Sequence, residues 1–494
     1  MSEETPLNAY EQLIACFTVE EMDLIVRLKR FFEWVQGDQE FAAAAGSGSF
    51  SQEQRARLQQ IGVTFDLREL DLLWENSDFQ LNFLRACGCQ DAMPAELLEK
   101  IAQRPLLALW TRYVAQKNKV YRHFRSTVFR VPKNPRFDAW RMRRVAAAKS
   151  ELGHFGHVID HPILAFELGD GCSVGCWFCA FAARKLTTNF DYLENREFFQ
   201  DVVKACADVF GRDQAAMALL YYGTEPHDNP HYLDFLKDFA KITGHASCTS
   251  TAVPGDAEWV RSLIAFYRQG NLPWPRFSVL TKKMLLKIHE LYTPDELRDV
   301  ELLIQTREHP RQKVTGGRIL AEQNGMRDRE SGHYMDQIVP QGSIACVSGF
   351  LINMVHKTIQ LVSPCYTSKK WAYGYRIYDT AAFTDALDFH RAIEELIERN
   401  MPLTPRPDSV VRFRDDLCFK PTEQGFDLIS PNQVHHFAGK EVVAPLGAMI
   451  AEGNQRVDQM YSTMTDTLRI NPMLTGMAVK QLFDGGFLDE VRAV

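Results

Sequence analysis

The spacing of apolar residues predicts helices in the first part of the chain. From Glu11 to about Leu109, apolar residues recur three or four positions apart, as in EMDLIVRLKRFFEWVQ, which is typical of amphipathic helices. The Gly/Ser stretch GSGSF at Gly46 to Phe50 interrupts this pattern. We therefore predict a helical N-terminal domain with a basic connector over residues 1–150.

The connector runs from Trp110 to Ser150 and is strongly basic. It carries twelve Lys or Arg residues and one acid, Asp138, with aromatic residues between them. One interpretation is a solvated, partly irregular connector. The other is a docking surface for an acidic partner segment, because clustered charge strengthens the local field.

After His161 the pattern changes to short apolar runs that alternate with amphipathic stretches. Five runs have the composition of buried strands: ILAFELG, MALLYYG, ASCTSTAV, RFSVLT and VELLIQT. Repeated βα units predict a parallel sheet covered by helices. In SGFLINMVHKTIQLVSPC, two further runs flank HKT and predict a strand pair that ends at Cys365. The predicted fold class is therefore α/β, with a partial (β/α)6 TIM-like barrel over residues 151–404 and its chemistry at the carboxyl ends of the strands.

The last part of the chain predicts a separate small module. The proline-rich LTPRPD, from Leu403 to Asp408, marks a boundary, and LCFKPTEQGFDLISP beyond it predicts a hairpin followed by helices. This order indicates a winged-helix module over residues 405–494. Winged helices often bind DNA, but Pro405 to Val494 holds nine basic and twelve acidic residues, which is unfavourable for phosphate contacts. A peptide partner is favoured over nucleic acid.

Composition narrows the class of protein. The chain has 494 residues, is 46% hydrophobic and 24% charged, and contains no apolar run near the roughly 18 residues of a membrane span. Its first residues are acidic, where a secretory signal would be basic. We expect a cytoplasmic protein without a membrane partner. Eleven mostly scattered cysteines, an odd number, indicate reduced thiols rather than a disulfide framework.

Three cysteines form a cluster that carries chemistry. GCSVGCWFCAF places Cys172, Cys176 and Cys179 on one loop directly after the predicted strand ILAFELG. Iron–sulfur cubanes normally take four thiolate ligands, so three ligands leave one iron free to bind something else. The spacing therefore predicts one [4Fe-4S] cluster held by these three cysteines.

The neighbours of the cysteines suit this interpretation, although zinc stays open. Gly171 and Gly175 let the backbone curl without Cβ clashes, and Trp177 and Phe178 are placed to shield a cluster from water. A zinc site with three cysteines would need one histidine from elsewhere in the chain. The candidate histidines are His154, His157 and His161.

This cysteine loop resembles that of the radical SAM superfamily in spacing, position and aromatic filling. The resemblance implies that the free iron chelates S-adenosylmethionine (SAM), whose reductive cleavage gives a 5′-deoxyadenosyl radical. In LLYYGTEPHDNP, the residues Gly223, Thr224, Glu225 and Pro226 resemble the family's Gly-Gly-Glu-Pro-like motif, with Thr224 in place of the second glycine. By strand position, Ser250, Thr251 and Ser278 are further candidates for SAM contacts, with ordinary strand-end hydroxyls as the alternative, and Phe178 is a candidate from the cysteine loop.

Most of Glu151 to Asp379 resembles radical SAM peptide epimerases of the proteusin type, which mature ribosomally made peptides. The similar segments are ELGDGCSVGCWFCAF and ACVSGFLINMVHKTIQLVSPC. The resemblance implies that the radical removes a Cα hydrogen from an L-residue and that a cysteine returns one from the opposite face. Cys365 is the first candidate for this hydrogen donor and Cys346 the second, and a small apolar role is the alternative for both.

The resemblance also implies the partners. The segment after Pro405 resembles PqqD-like modules that bind leader peptides, so we expect the precursor peptide, leader and core, as substrate. Such modules capture an extended segment at a sheet edge, which makes CFKPTEQGFDLIS the expected docking region. An electron donor such as flavodoxin or ferredoxin would reduce the cluster. Two alternatives stay open: a radical SAM peptide cross-linking or C-methylating enzyme, and a non-catalytic Fe–S peptide-binding protein.

Overall fold

The computed structural model describes residues 9–75, 95–128, 132–269, 274–307, 317–319, 345–368 and 370–491. Helices and strands both occur along these ranges, so the predicted α/β class is confirmed at the level of a mixed α/β protein with several small sheets. No helix in these ranges combines the length and apolar character needed to cross a lipid bilayer.

The helices and strands are numbered here in chain order over the described residues. The α-helices are α1 (Ala9–Ile14), α2 (Val19–Gly37), α3 (Gln39–Ser47), α4 (Gln52–Gln60), α5 (Leu72–Glu75), α6 (Ala95–Ala102), α7 (Pro105–Val128), α8 (Pro135–Leu152), α9 (His154–Val158), α10 (Tyr192–Phe210), α11 (Arg212–Ala215), α12 (Tyr232–Thr243), α13 (Ala257–Arg268), α14 (Lys282–Leu291), α15 (Ala386–Asn400), α16 (Val443–Glu452), α17 (Val457–Ser462) and α18 (Pro472–Asp484). The strands are β1 (Leu164–Glu167), β2 (Gly169–Asp170), β3 (Thr188–Asn189), β4 (Ser250–Thr251), β5 (Arg276–Val279), β6 (Glu301–Ile304), β7 (Gly349–Asn353), β8 (Thr358–Pro364), β9 (Tyr375–Ala382), β10 (Cys418–Thr422), β11 (Gly425–Ile429) and β12 (Val434–Ala438).

One compact unit consists of Met1–Arg130 and Glu225–Gln312. Helix α2 begins at a capping box, in which the Thr18 hydroxyl accepts from the Glu21 N–H at 3.2 Å and the Glu21 carboxylate accepts from the Thr18 N–H at 3.0 Å. Its apolar face is buried in the core of this unit together with residues of α14 and β6. The buried residues include Leu28, Phe31, Trp34, Leu285, Ile288 and Ile304.

The same unit contains a parallel sheet in the order β4-β5-β6. These strands are the predicted runs ASCTSTAV, RFSVLT and VELLIQT, which the structure confirms as strands, although β4 is limited to Ser250–Thr251. Gly37 at the end of α2 permits a close approach to α14, because a Cβ there would lie 2.5 Å from Leu285 Cδ2. Helix α2 and the sheet therefore share one apolar core.

The other compact unit consists of Val131–Thr224 and Lys313–Val494. Its main sheet has the order β1-β7-β8-β9, in which β1 and β7 are parallel and the other pairs are antiparallel. The strand pair predicted around HKT is confirmed as β7 and β8. The predicted strand MALLYYG forms a single parallel bridge, from Leu219 to Ala165 of β1, instead of a full strand.

The last part of this unit is an antiparallel sheet covered by helices. Its strand order is β10-β11-β12, which confirms the predicted hairpin, and α16, α17 and α18 confirm the predicted helices. Phe426 of β11 and Leu446 of α16 are fully buried in its core. Gly447 lets α16 approach the sheet, since a Cβ there would lie 2.3 Å from the Phe426 ring.

The basic connector between Trp110 and Ser150 is mainly helical, and its irregular part among the described residues is 132–134. These residues lie mainly in α7 and α8, and Asn134 caps α8 by accepting from the Phe137 N–H at 3.1 Å. Phe137 and Trp140 are fully buried, because they lie three positions apart on one helix face. The dense positive charge obscured this apolar face in the sequence.

Two of the basic residues of α8 are themselves buried and form ion pairs. Arg143 donates to both carboxylate oxygens of Glu490, at 2.9 and 2.8 Å, and Arg144 also pairs with Glu490. Arg143 stacks on Phe483 with its guanidinium carbon 4.0 Å from the ring centre, and Arg144 donates to the Tyr378 hydroxyl at 3.1 Å. Part of the local positive charge is therefore used inside the protein rather than at a docking surface.

We expect Glu490→Ala to destabilise this unit strongly. The substitution leaves two buried guanidinium groups without their shared carboxylate, and breaking a buried pair from one side typically costs about 3–5 kcal/mol. Thermal and urea unfolding of the purified protein would measure the loss. Glu441→Ala, at an exposed position before α16, is the matched control. Equal unfolding midpoints for the two variants would contradict the assigned role of Glu490.

Candidate functional site

The three predicted ligand cysteines lie on one loop between β2 and β3. These short strands pair at Gly169 with Asn189 and close the base of the loop. Inside it, the Cys172 N–H donates to the Arg184 carbonyl at 2.9 Å. Gly171 has a φ of +99°, and a Cβ there would lie 2.6 Å from the Lys185 carbonyl oxygen. The loop therefore requires glycine at this position, as the sequence predicted.

The donor chemistry of the loop fits a thiophilic metal centre. Cys172, Cys176 and Cys179 are not joined in disulfide bonds, and each is partly exposed. Within the described residues, no three ligating side chains lie close enough together to hold one metal ion. Binding a cluster or zinc ion would therefore require the loop to draw its three thiols together.

The histidines considered as a fourth zinc ligand differ in availability. Both ring nitrogens of His161 are engaged, Nδ1 with the Ser348 hydroxyl at 2.9 Å and Nε2 with the Gly156 carbonyl at 3.1 Å. Burial lowers the pKa of His161 to about 4. His154 and His157 are exposed on α9. Both ring nitrogens of His161 are therefore already hydrogen-bonded to neighbouring groups.

Arg318, which is distant from the cysteine loop in the sequence, hydrogen-bonds to the backbone of the loop. Its guanidinium donates to the Cys176 carbonyl at 2.8 Å and to the Ala183 carbonyl at 2.5 Å, and its N–H donates to the Cys179 carbonyl at 3.0 Å. The preceding residue, Gly317, has no room for a side chain, since a Cβ would lie 2.4 Å from the Cys179 carbonyl oxygen. These contacts fix the backbone that carries two of the three cysteines.

A cavity of about 230 Å³ lies beside the cysteine loop. Its lining residues come from the end of β1, both ends of the loop, the segment before residue 225, the turn after β7 and the start of β9. They are Glu167, Gly169, Asp170, Gly171, Phe181, Ala182, Ala183, Arg184, Tyr222, Gly223, Thr224, Asn353, His356, Tyr373 and Tyr375.

Glu167 is the carboxyl group of this cavity. It follows the buried residues of β1, and its Oε2 accepts from Asn353 Nδ2 at 2.6 Å. Burial raises the pKa of Glu167 to about 7, which the neighbouring Asp170 also favours. The carboxyl group is therefore protonated more readily than an exposed glutamate.

Two predicted cofactor-binding residues, Gly223 and Thr224, line the same cavity. Gly223 has a φ of +70°, and a Cβ there would lie 3.0 Å from Glu167 Oε1. The Thr224 N–H donates to the Tyr221 carbonyl at 3.2 Å, which closes a turn. The glycine is thus required by both the backbone conformation and the close carboxyl group.

The other predicted cofactor residues, apart from Phe178, lie in the unit that contains α2. Glu225 is buried there and accepts from the Thr251 hydroxyl, from the Ala252 N–H at 2.9 Å and from the His227 N–H at 3.2 Å. Burial raises the pKa of Glu225 above its ordinary value. Pro226 begins the short 3-10 helix that follows.

Ser250 and Ser278 lie on adjacent strands of that unit. Their hydroxyl oxygens are 3.4 Å apart across β4 and β5. The structure therefore brings Glu225 together with Thr251, and Ser250 together with Ser278, as two hydrogen-bonded pairs.

The two candidate hydrogen donors have different surroundings. Cys365 directly follows β8, is fully buried, and donates its N–H to the Gly374 carbonyl at 3.0 Å. Burial raises the pKa of the Cys365 thiol above its ordinary value, so the thiol keeps its proton at neutral pH. Cys346 is partly exposed and packs against the apolar cluster that contains Tyr222.

The aromatic residues of the cysteine loop make two ring contacts, one within the loop and one with Tyr222. Trp177 and Phe178 meet edge to face with ring centres 5.4 Å apart. Phe181 packs on Tyr222 at 4.6 Å and therefore forms one wall of the cavity. Phe178 does not line that cavity.

Comparison with known proteins gives one full-length relative. The chain is 31% identical over 483 residues to a Sinorhizobium fredii protein described as "Uncharacterized protein y4wI", and the alignment covers 97% of this chain and 90% of that protein. The chain belongs to the y4wI family. No protein-family model matches it, and no solved structure matches it.

Sequence reasoning missed three members of the candidate site. Glu167 and Tyr222 each stood at the end of an apolar run next to a singled-out motif, and a polar residue ending a buried strand was a usable signal. Arg318 gave no such signal, because it lies 142 residues after the Cys176 carbonyl that it contacts.

Arg318→Met should loosen the cysteine loop. Hydrogen bonds to a charged donor contribute about 1.5–3 kcal/mol each, so amide exchange in residues 172–183 should accelerate by about tenfold or more. Hydrogen-exchange mass spectrometry of peptides from this loop would measure it. Arg391→Met, on the exposed face of α15, is the matched control. Unchanged exchange in the loop would show that Arg318 does not hold it.

Proposed function

We propose that this protein is a radical SAM peptide epimerase, an isomerase that converts L-residues to D-residues in a ribosomally made precursor peptide. The observation that carries the proposal is the three-cysteine loop that follows β1. This loop lies beside a cavity that is also lined by Tyr373 and Tyr375, and both tyrosines come shortly after Cys365 in the chain. The proposed cluster ligands and the proposed hydrogen donor Cys365 therefore belong to the same compact unit.

We also propose that the sheets belong to a partial (β/α)6 barrel of the radical SAM type. Parallel pairing supports this, since barrel strands are parallel. It occurs between β1 and β7, between Leu219 and Ala165, and in the β4-β5-β6 sheet. The proposed reaction would take place at the carboxyl end of β1, where Glu167 lies.

Cys172, Cys176 and Cys179 would hold one [4Fe-4S] cluster, with SAM at the free iron. When bound and reduced, this pair supplies the 5′-deoxyadenosyl radical. Arg318 keeps the loop in place through three backbone carbonyls. Glu225, which caps the short 3-10 helix beginning at Pro226, is the proposed partner of the methionine ammonium group.

Cys365 is the proposed hydrogen donor. The bound cofactor would supply the chemistry that removes a hydrogen atom from the substrate Cα, and the proposed role of this chain is to return one. Cys365 returns a hydrogen atom to the opposite face and becomes a thiyl radical. One electron from a donor such as flavodoxin or ferredoxin, together with one proton, restores the thiol. The raised pKa of Cys365 supports this role, because only the protonated thiol can give a hydrogen atom.

The segment after residue 405 is the proposed PqqD-like winged-helix module that binds the leader of the precursor. Its strand β10 is an edge of the β10-β11-β12 sheet and is exposed along most of its length, so an extended peptide could pair with it. The acidic excess of this segment disfavours nucleic acid as the partner.

The first test of the proposed function is SAM cleavage. Reconstituted wild-type protein under anaerobic reduction should bind iron and sulfide and release 5′-deoxyadenosine, whereas Cys172→Ala should lose both properties. Cys418→Ala, at an exposed cysteine of β10, should behave as wild type. Mass spectrometry of the nucleoside and iron analysis provide the readouts. Wild-type protein that holds zinc and no iron would sink the proposal.

The second test concerns Cys365. Cys365→Ala, coexpressed with the precursor in deuterated water, should still form 5′-deoxyadenosine but yield no D-residue, because the carbon radical finds no hydrogen donor. The wild type should place deuterium at the inverted Cα, since a thiol exchanges its proton with water. Chiral amino-acid analysis and mass spectrometry would measure both effects.

Cys346→Ala is the control for that experiment. Loss of inversion in Cys346→Ala, with normal inversion in Cys365→Ala, would transfer the role to Cys346. A product whose mass differs in ordinary water would favour the cross-linking or C-methylating alternative, because epimerisation leaves the mass unchanged. Precursor binding without 5′-deoxyadenosine formation would favour the non-catalytic alternative.

A further inference from the structure

A second cavity, of about 510 Å³, lies in the same compact unit as the cysteine loop. Its walls come from the end of α15, from residues 402–412, from Phe483 of α18 and from residues 488–491. The volume falls within the roughly 300–1,000 Å³ that is usual for ligand-binding cavities. Part of the wall is apolar and accessible, since Val410 is 50% exposed. The residues of this cavity have no part in the proposed reaction.

The two carboxylates that line this cavity already have partners. Asp489 accepts from the Val491 N–H through Oδ1 and from Arg412 Nε through Oδ2, both at 2.9 Å. Glu490 is shared by the two buried arginines of α8. Neither carboxylate therefore needs a cation from outside.

Two arginines of the cavity keep unused N–H groups. Arg406 Nη2 donates to the last carbonyls of α15, those of Glu398 and Arg399, at 2.9 Å each. No carboxylate in the described part of the chain pairs with Arg406. Arg412 uses only Nε, for Asp489, and no other hydrogen bond from its guanidinium occurs among the described residues. Because these contacts reach other lining residues, both guanidinium groups lie at the cavity wall.

The cavity consequently has an excess of positive charge. Together with their ion-pair partners, the lining side chains comprise five guanidinium groups and three carboxylates, which leaves two positive charges uncompensated. The charged groups are Arg143, Arg144, Arg399, Arg406, Arg412, Asp379, Asp489 and Glu490. An anionic ligand is therefore favoured.

An unpaired stretch of backbone faces the same cavity. The residues on either side of Val410 hydrogen-bond to residues 455–457 on one side, at 3.0 Å each. On the other side, the Arg412 carbonyl accepts from the Asp489 N–H at 2.9 Å. Backbone groups of successive residues in an extended strand point to alternate sides, so the Val410 N–H and C=O point to the side of Asp489. Neither group has a hydrogen bond within the described ranges, which leaves a short strand edge open toward the cavity.

We propose that this cavity binds an acidic peptide segment in an extended conformation. Its backbone pairs with the N–H and C=O of Val410, and its carboxylates accept from Arg406 and Arg412. Addition of a strand to an open edge is a common mode of peptide capture, and a phosphate chain offers no matching backbone groups. Assigning the segment to the precursor rests on the proposed function, whereas acidic peptide binding by itself does not.

Isothermal titration calorimetry on the full-length protein, without reductant, tests this inference. The probe is the peptide acetyl-EVEVE-amide. Acetyl-QVQVQ-amide lacks its carboxylates, and citrate carries carboxylates without a peptide backbone. Wild-type protein should bind the acidic peptide saturably and about tenfold or more tightly than either comparison, because only that probe combines both features. Arg406→Gln and Arg412→Gln should each weaken binding by about five- to tenfold, as expected for a lost hydrogen bond to a charged group.

Arg456→Gln is the matched control. Arg456 lies on the opposite side of Val410, pairs with Asp458 and does not line the cavity, so this variant should bind as wild type does. Because Arg406 also hydrogen-bonds to the end of α15, the comparison of probes on wild-type protein gives a test that is independent of the variants.

Three results would overturn the inference: no saturable binding of the acidic peptide, equal affinity for the glutamine peptide or for citrate, and unchanged affinity in both arginine variants. Binding of oligothymidylate that both variants weaken, without binding of the peptide, would indicate a phosphate ligand and would overturn it as well.

The outcome is separable from that of the proposed function, since peptide binding requires neither a cluster nor SAM cleavage. A protein that releases 5′-deoxyadenosine but does not bind the acidic peptide would overturn the peptide site and leave the epimerase proposal in place. Peptide binding in a protein that never cleaves SAM would have the opposite meaning.

Discussion

The candidate site depends on how the backbone of the cysteine loop is held. A loop with little regular structure has few internal hydrogen bonds, so its carbonyl groups need partners from outside. Arg318 supplies three of them, to Cys176, Cys179 and Ala183, and the β2–β3 pairing closes the base. The guanidinium binds the Cys176 and Ala183 carbonyls and the backbone N–H of Arg318 binds that of Cys179, and a lysine could not reproduce the two side-chain contacts with the same planar geometry.

Burial governs the chemistry of the groups around this loop. It raises the pKa of Glu167 to about 7 and that of the Cys365 thiol above its ordinary value. The Cys365 thiol therefore keeps its proton at neutral pH, and Glu167 takes up a proton more readily than an exposed carboxyl would. This separates them from the three loop cysteines, which are partly exposed and in a position to lose protons on binding a metal.

The same unit contains a second set of buried charges with a structural role. Glu490, near the end of the chain, joins Arg143 and Arg144 of α8, and Arg376 of β9 donates to Glu151 at 2.5 Å. These contacts connect the segment after residue 405 to α8. Helix α8 packs on β8, so these buried pairs connect the segment after residue 405 to the main sheet.

The sequence by itself determined the local features. The cysteine spacing, the glycine at 171, the β7–β8 pair, the β10–β11 hairpin and the amphipathic helices all follow from residues within about 20 positions of one another, and the structure has each of them. Only the tertiary structure decided that Arg143 and Arg144 are buried, that Arg318 reaches the cysteine loop and that Glu167 meets Gly223. These contacts join residues far apart in the chain, and their energy depends on burial and on a partner's exact placement, which periodicity along one segment does not encode.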